Sequence, residues 1–445
     1  MEKDVENRME TNNITEKDLQ EKRERVMLAG VDTGENSEEF DHSMAELAEL
    51  AKACVMEPVG MVTQRMEAVN KSLYLGSGKV QELSETARIL EAELVILNDT
   101  LTPSQLRNLQ EGLKMPVMDR TALILDIFEK RAGTREARLQ VESARLQYLL
   151  PRLIGMHEAL TRQGGTSGSM SSRGAGEKKL ELDRRRIEHR ISELNRELEQ
   201  ITKERETQRK KRQNSGIPLV ALVGYTNAGK STIMNRMLAR YGRDDEKMVL
   251  EKNMLFATLD TSVRRICTGN NKDFLLSDTV GFIHKLPHGL VKAFRATLME
   301  LKEADLLLQV VDYSDPYYQR QMETTKETIA QLGAGAIPMI TVFNKMDCVE
   351  EIQFYPKVTG NKIYISAKED ESLRVLTEQI LERVYAGFRE MHLLIPYEEG
   401  RVVSYFMENA QVLSMEYEKE GTKLHVRCHP GDKEKYSCYE ERKAE

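Results

Sequence analysis

The sequence lacks a long apolar run and an apolar N-terminus. No apolar stretch approaches the roughly 20 residues that a membrane-spanning helix requires, so we expect no transmembrane helix. Residues 1–25 are polar and acidic, whereas a secretory signal needs an apolar centre. The sequence therefore predicts a cytoplasmic protein.

The chain also has few cysteines and no net positive charge. The five cysteines are Cys54, Cys267, Cys348, Cys428 and Cys438. None has CxxC spacing, so we expect reduced structural thiols rather than a zinc ribbon or a disulfide framework. The formal net charge of −7 argues against binding nucleic acid through overall charge. Any RNA contact should be confined to a basic patch.

The 445 residues predict two to four domains, at roughly 150 residues per domain. We expect an α/β fold class: an N-terminal parallel α/β domain with a helical hairpin, a second α/β domain and a small C-terminal α/β domain. The predicted segments are an extension, disordered or loosely helical, at 1–25; an α/β subdomain at 26–130; the hairpin at 131–213; the second α/β domain at 214–390; and the C-terminal domain and tail at 391–445.

The hairpin is predicted from two helical stretches, about 134–150 and 177–212, on either side of the Gly/Ser-rich segment 164–176. Apolar residues of the second stretch recur at helical spacing, at Leu180, Ile187, Ile191, Leu194, Leu198 and Ile201. This stripe favours a packing seam over a binding face. The flexible tip, which carries Arg162 and Arg173, is the better candidate for an RNA contact.

A phosphate-binding loop is predicted at 224–231. The apolar strand 218–223 leads into the sequence GYTNAGKS, which opens a helix. Backbone N–H groups of such a loop surround phosphates, Lys230 reaches the β- and γ-phosphates, and Ser231 offers its hydroxyl to Mg²⁺. The predicted nucleotide-binding residues here are Gly224, Tyr225, Thr226, Asn227, Ala228, Gly229, Lys230, Ser231 and Thr232. By contrast, Gly76–Lys79 lacks the required spacing and is interpreted as a turn before a helix.

A second phosphate-sensing element is predicted at the end of the strand 274–277. It comprises Asp278, Thr279, Val280 and Gly281. Asp278 can hold Mg²⁺ through water, and the Gly281 N–H can meet the γ-phosphate. Upstream, Phe256, Ala257 and Thr258 are predicted to contact nucleotide. Thr258 is the preferred switch I threonine for Mg²⁺, and Thr261 is its competitor.

The residue after Gly281 is Phe282, where many GTPases have a glutamine that orients the attacking water. We therefore expect slow intrinsic hydrolysis, with help from a partner, the backbone or a monovalent cation. His284 and His288 could act as bases, but packing roles are favoured. The predicted catalytic residues are Lys230, Thr258 and Gly281, and the predicted Mg²⁺ ligands are Ser231, Thr258 and Asp278.

The base is predicted to be guanine. Asn344, Lys345 and Asp347 follow another buried strand, and the Asp347 carboxylate can accept hydrogen bonds from the two donors on the guanine edge. Adenine does not present that pattern. Ser366, Ala367 and Lys368, at a later strand end, are placed where they could contact the guanine carbonyl. The ligand is thus predicted to be GTP or GDP, and the α/β domain at 214–390 is predicted to be a Ras-like P-loop GTPase (G) domain.

With these motifs, the chain resembles the HflX family of translation-associated GTPases. The residues that carry the resemblance are Gly78–Val80, Asp119–Phe128, Leu150–Leu153, Gly164–Gly165, Gly174–Glu177, Leu180–Arg185 and Leu255–Asp260. The resemblance implies a GTPase that binds the large ribosomal subunit and splits or rescues stalled or idle ribosomes. It also implies that the hairpin tip contacts ribosomal RNA, through the candidates Arg162, Gly164, Gly165, Arg173, Gly174 and Gly176.

Three further expectations remain open. Asn227 resembles the asparagine of potassium-activated GTPases, which predicts that K⁺ takes the place of an arginine finger. We expect a monomer. The alternatives to a ribosome-splitting GTPase are a ribosome-assembly or RNA-modification GTPase and a non-enzymatic interaction protein.

Overall fold

The computed structural model describes residues 23–34, 37–163, 170–213, 217–242, 262–269, 272–279, 281–283, 299–349, 354–428 and 430–441. These residues fall into two compact units, one within 1–130 and 148–185 and the other within 131–147 and 186–445. No helix in the described ranges is long and apolar enough to cross a membrane. The division into five segments stays a prediction.

The first unit contains a four-stranded sheet in which every strand is parallel to its neighbours. Its strands are β1 (Glu24–Asp32), β2 (Met56–Arg65), β3 (Leu94–Leu97) and β4 (Val117–Asp119). Their order across the sheet is β2-β1-β3-β4. The helices between them are α1 (Ser37–Ala53), α2 (Ser77–Ile89) and α3 (Pro103–Leu113). All four residues of β3 are buried, as expected for a parallel strand covered on both faces. The predicted parallel α/β sheet is confirmed, and Gly76 lies just before α2 as predicted.

A helix that the sequence analysis did not assign follows β4 directly. This helix, α4, spans Arg120–Arg131. Its buried residues include Leu123, Ile124, Ile127 and Phe128. The spacing of these side chains is the three- and four-residue repeat of an amphipathic helix, so the signal was present in the sequence.

The two long helices are α5 (Arg135–Gln163) and α6 (Met170–Gln213). Both helices extend further towards the hairpin tip than predicted, so the predicted helix ends near residues 150 and 177 are wrong. Arg162 lies in α5, and Arg173, Gly174 and Gly176 lie in α6 rather than in a loop. Extending an existing helix adds a hydrogen bond for each residue, which can offset the roughly 1 kcal/mol that each glycine costs.

Helix α5 also continues through Pro151, although a proline inside a helix usually breaks or kinks it. Next to the proline, Arg152 Nη1 donates to the Tyr148 carbonyl oxygen at 2.8 Å. The Arg152 guanidinium also lies 3.3 Å from the centroid of the Tyr148 ring. These contacts stabilise the turn that the proline disturbs.

Side chains connect α5 with α6 in the portions of these helices that belong to the second unit. Arg190 and Glu142 form a two-pronged ion pair, with Nε–Oε1 at 2.8 Å and Nη2–Oε2 at 3.1 Å. On the predicted stripe, Leu194 is fully buried, and Ile187 and Ile191 are half-buried. This burial agrees with a packing seam.

The second unit is built around a seven-stranded sheet. Its strands are β5 (Leu219–Gly224), β6 (Ser262–Ile266), β7 (Phe274–Asp278), β8 (Leu306–Asp312), β9 (Met339–Asn344), β10 (Lys357–Thr359) and β11 (Lys362–Tyr364). The order is β10-β11-β9-β8-β5-β7-β6, and only the outer strands β6 and β10 are antiparallel to their neighbours. The helices in this region are α7 (Lys230–Tyr241), α8 (Tyr318–Gln331) and α9 (Asp370–Val384).

This topology places the candidate site. The carboxyl ends of β5, β7 and β9 meet at one edge of the sheet, where α/β proteins bind ligands. Strand β5 lies between β7 and β8 and leads into α7. The predicted phosphate and base motifs all follow strands that end at this edge.

A small antiparallel sheet packed with two helices closes the chain, in agreement with the predicted small C-terminal α/β domain. Its strands β12 (Arg389–Ile395), β13 (Gln411–Glu418) and β14 (Gly421–Cys428) lie in the order β12-β14-β13. The helices here are α10 (Gly400–Asn409) and α11 (Pro430–Lys435). The core contains Leu393, Phe406 and Leu424, each fully buried.

Candidate functional site

Two glycines allow the loop between β5 and α7 to form. Gly224 has φ 147°, and a Cβ there would lie 2.2 Å from the Val310 carbonyl oxygen. Gly229 has φ 97°, and a Cβ there would lie 2.2 Å from Asn344 Nδ2. Side chains are therefore excluded at both ends of the loop. Between them, Asn227 is exposed with φ 59°.

The Lys230 ammonium group folds back onto this loop. Its Nζ donates to the carbonyl oxygens of Gly224 at 3.0 Å and of Tyr225 at 2.7 Å. Burial lowers the pKa of Lys230 to about 8, and the Asp278 carboxylate partly opposes that shift. Phosphate oxygens would be stronger acceptors than these carbonyls because they carry negative charge.

Ser231 and Asp278 fit a Mg²⁺ site. Ser231 Oγ donates to Asp278 Oδ2 at 2.8 Å, and the Asp278 side chain is fully buried at the end of β7. A hydroxyl and a carboxylate are the hard oxygen donors that Mg²⁺ takes when phosphates and water supply its other ligands. In the described part of the chain, no three His, Cys, Asp or Glu side chains form a metal-binding group.

The segment after β7 is joined to the loop through the backbone. Thr226 N donates to the Phe282 carbonyl oxygen at 2.9 Å, and Phe282 N donates to the Gly224 carbonyl oxygen at 3.1 Å. The Phe282 ring is buried, so it does not face a water-filled site. Thr279 Oγ1 donates to the Leu222 carbonyl oxygen at 2.7 Å.

The predicted guanine residues lie together. Asn344 Nδ2 donates to the Ala228 carbonyl oxygen, and Asn344 Oδ1 accepts from Ala367 N, both at 2.9 Å. One carboxamide thus connects the phosphate loop with the Ser366–Lys368 turn. Ser366 Oγ donates to Asp347 Oδ1 at 2.8 Å.

The Asp347 carboxylate is ionised in this arrangement. Burial opposes ionisation, but hydrogen bonds from Lys368 and Ser366 outweigh it and lower the pKa of Asp347 below its usual value. An ionised carboxylate has enough acceptor positions for both donors on the guanine edge.

The sequence analysis missed three residues at this edge of the sheet, namely Asp312, Arg236 and Arg240. Lys345 Nζ lies 2.6 Å from Oδ2 of Asp312, at the end of β8. Arg236 of α7 donates to the Lys368 carbonyl oxygen. Arg240, one turn later, donates to the Asp370 carbonyl oxygen at 3.2 Å. Both arginines connect the phosphate-loop helix with the segment after β11.

Several predicted residues lie outside the described residues. They are Gly164, Gly165, Phe256, Ala257, Thr258, Thr261, Val280, His284 and His288. The structure therefore brings together the phosphate-loop, Asp278, Gly281 and guanine residues, and leaves the switch I assignments as predictions. The RNA candidates Arg162 and Arg173 are placed only as members of helices.

Comparison with known proteins gives matches along most of the chain. The family models that match are the GTP-binding GTPase N-terminal region at 41–129, the GTP-binding GTPase middle region at 131–212 and the 50S ribosome-binding GTPase at 219–345.

Curated relatives match at similar length. GTPase HflX of Alkalihalophilus pseudofirmus is 44% identical over 89% of this chain and 91% of its own. GTPase HflX of Caldanaerobacter subterraneus subsp. tengcongensis is 41% identical over 92% and 93% of the two chains. GTPase HflX of Escherichia coli is 37% identical over 85% and 88%.

Proposed function

The chain belongs to the HflX family of GTPases and thus binds and hydrolyses GTP; from that premise we propose that it acts on the large ribosomal subunit. In this proposal, the protein splits or rescues stalled or idle ribosomes. The observation that carries it is the match of residues 219–345 to the 50S ribosome-binding GTPase model. A cytoplasmic location and a monomeric state accompany the proposal.

The site supports specific roles in nucleotide binding. Asp347 holds the guanine edge, with Asn344 and the Ser366–Lys368 turn supporting it. Lys230 and the Gly281 N–H meet the phosphates. Ser231 and Asp278, together with Thr258, hold Mg²⁺. When bound, Mg²⁺ neutralises charge on the β- and γ-phosphate oxygens.

Potassium activation belongs to the same proposal. Asn227 is exposed on the left-handed turn of the phosphate loop, so its side chain is not enclosed by the protein. We expect faster GTP hydrolysis in K⁺ than in Na⁺ at equal ionic strength, and loss of the difference in Asn227→Ala. Equal rates in the two salts would remove K⁺ from the mechanism.

The ribosome proposal is tested by GTP hydrolysis with and without purified large subunits. We expect stimulation by the subunits that weakens when residues 164–176 are deleted. Because residues 170–176 belong to α6, the deletion also shortens a helix. The matched variant Arg162→Glu/Arg173→Glu keeps the chain length and reverses two charges, so it separates RNA contact from helix length.

The same assay separates the remaining alternatives. An assembly or RNA-modification GTPase should respond to precursor particles or tRNA and not to mature large subunits. Unstimulated hydrolysis with mature subunits would therefore favour that alternative. A non-enzymatic interaction protein is incompatible with membership of a GTPase family.

A further inference from the structure

The Thr226 hydroxyl group is buried next to the reacting end of the site. Thr226 is 6% exposed. Its Oγ1 is covered by protein and has no hydrogen-bond partner among the described residues. A buried hydroxyl without a partner is unfavourable, which suggests that a partner outside the chain completes its hydrogen bonding when nucleotide is bound.

The position of Thr226 indicates where that partner would bind. A Cβ built on Gly281 would lie 2.7 Å from Thr226 Cγ2 and 3.1 Å from Lys230 Nζ. The Thr226 side chain and the Lys230 ammonium group therefore adjoin the same glycine, whose N–H is assigned to the γ-phosphate. The hydrogen bond from Thr226 N to the Phe282 carbonyl oxygen, at 2.9 Å, holds the threonine backbone in this place.

The hydroxyl can reach the Gly281 side by rotation about χ1. A change to another staggered χ1 rotamer carries Oγ1 into the position that Cγ2 now occupies and moves Cγ2 into the position of Hβ. The Phe282 ring is apolar and buried, so it cannot orient water. Thr226 thus supplies a polar side chain next to Gly281, beside the Lys230 cation.

We propose that the Thr226 hydroxyl orients the water that attacks the γ-phosphate of GTP, by accepting a hydrogen bond from it. The water oxygen forms a bond to the γ-phosphorus, and the bond from that phosphorus to the β–γ bridging oxygen breaks. GDP keeps the electron pair, and the proton of the water leaves with the phosphate product. Thr226 stays protonated throughout. The inference rests on the GTPase activity and not on ribosome binding.

Two substitutions separate the hydroxyl from the methyl group. Thr226→Val keeps the shape and removes the hydroxyl, whereas Thr226→Ser keeps the hydroxyl and removes the methyl. In single-turnover hydrolysis with the full chain and no ribosomes, we expect T226V to be slower by about 10- to 100-fold, the range associated with a misplaced reactant. We expect T226S to remain close to the unmodified protein.

Binding of GDP with aluminium fluoride supplies a readout of the reacting geometry. T226V should bind GDP alone as the unmodified protein does, but bind GDP with aluminium fluoride more weakly. Unchanged hydrolysis in T226V, or equal slowing in T226V and T226S, would overturn the proposal. The affinity for GDP also shows whether a variant is folded. If T226V does not bind GDP, Thr226→Ala is measured in its place. Failure of the ribosome proposal would leave these ribosome-free results unchanged.

Discussion

The Lys368 ammonium group lies 2.6 Å from Oδ2 of Asp347. Lys368 is largely exposed, whereas its partner carboxylate is mostly covered. The ammonium group therefore approaches Asp347 from the solvent side, and Ser366 Oγ occupies the other carboxylate oxygen. This arrangement keeps the carboxylate that we propose to recognise the base ionised and oriented.

Asp347→Asn should change the base preference from guanine towards xanthine. The amide replaces one acceptor by a donor, which suits the carbonyl that xanthine has in place of the guanine amino group. We expect a loss of GDP affinity of roughly 10- to 100-fold, the scale of an unmade hydrogen bond to a charged group. The measurement is competition binding of GDP and XDP. Unchanged preference for GDP would contradict the assignment of Asp347.

Nucleotide binding should weaken as the pH rises above about 8. Burial lowers the pKa of Lys230 to about 8 in the nucleotide-free chain, and phosphate oxygens favour the charged ammonium. Binding then takes up a proton above this pH, so affinity falls by up to about tenfold per pH unit. Below the lowered pKa the lysine is already charged and this dependence disappears.

Calorimetry in two buffers of different ionisation enthalpy measures this proton directly. We expect uptake approaching one proton for each GDP bound at pH 9, and almost none at pH 6.5. Guanosine, which lacks phosphates, is the matched ligand and should cause no uptake. Equal uptake with GDP and guanosine would assign the proton to another group.

Ser231→Ala should raise the Mg²⁺ concentration needed for GTP hydrolysis. Ser231 Oγ is both a proposed ligand and the donor that orients Asp278 Oδ2, at 2.8 Å. Loss of such a group weakens metal affinity by about 10-fold or more. A Mg²⁺ titration measures the effect, and Ser231→Thr, which keeps the hydroxyl, serves as the control. An identical titration for S231A and S231T would exclude this role.

The motifs that could be predicted from the sequence are contiguous segments at the end of a strand. Gly224–Ser231, Asp278–Gly281 and Asn344–Asp347 each follow a buried apolar run, so their position at one sheet edge follows from the parallel topology. Asp312 was missed because its partner, Lys345, is far away in the sequence. The same reason applies to Arg236 and its contact with Lys368.

The inner ends of the hairpin helices were mispredicted for a different reason. The prediction rested on the glycines of the 164–176 segment, among them Gly174 and Gly176, which are local stop signals, and Pro151 is a further signal of that kind. In the structure, the contacts of Arg152 and the extension of an existing helix outweigh them. Helix α4 was missed although its apolar spacing is regular, because β4 and α4 follow each other without a loop.

Arg236→Ala should speed the release of guanine nucleotides. Arg236 connects α7 with the Lys368 carbonyl oxygen in the Ser366–Lys368 turn, which is the proposed guanine turn. Loss of one hydrogen bond of this kind corresponds to about a three- to tenfold change. Stopped-flow release of a fluorescent GDP measures it. Arg240→Ala is the matched control, because Arg240 bonds to Asp370, beyond the guanine turn. Equal release rates for R236A and the unmodified protein would mean that the contact does not position this turn.

Arg152→Leu should destabilise the first unit locally. Asp119 is fully buried and accepts hydrogen bonds from Arg152 Nη2 and the Tyr148 hydroxyl, both at 2.8 Å. Removing the guanidinium leaves a buried carboxylate without its cation, which costs about 3 kcal/mol. Amide hydrogen exchange of β3 and β4 measures the local free energy of opening.

The exposed ion pair of Arg190 with Glu142 supplies the control for that experiment. Both of its side chains are about two-fifths exposed, at 40% and 43%, so Arg190→Leu should cost less than about 1 kcal/mol. Exchange in β3 and β4 should be unchanged in R190L and faster in R152L. If the two variants exchanged alike, Asp119 would not depend on the Arg152 charge, and Tyr148 with the backbone donors of Leu101 and Ala122 would be sufficient to hold it.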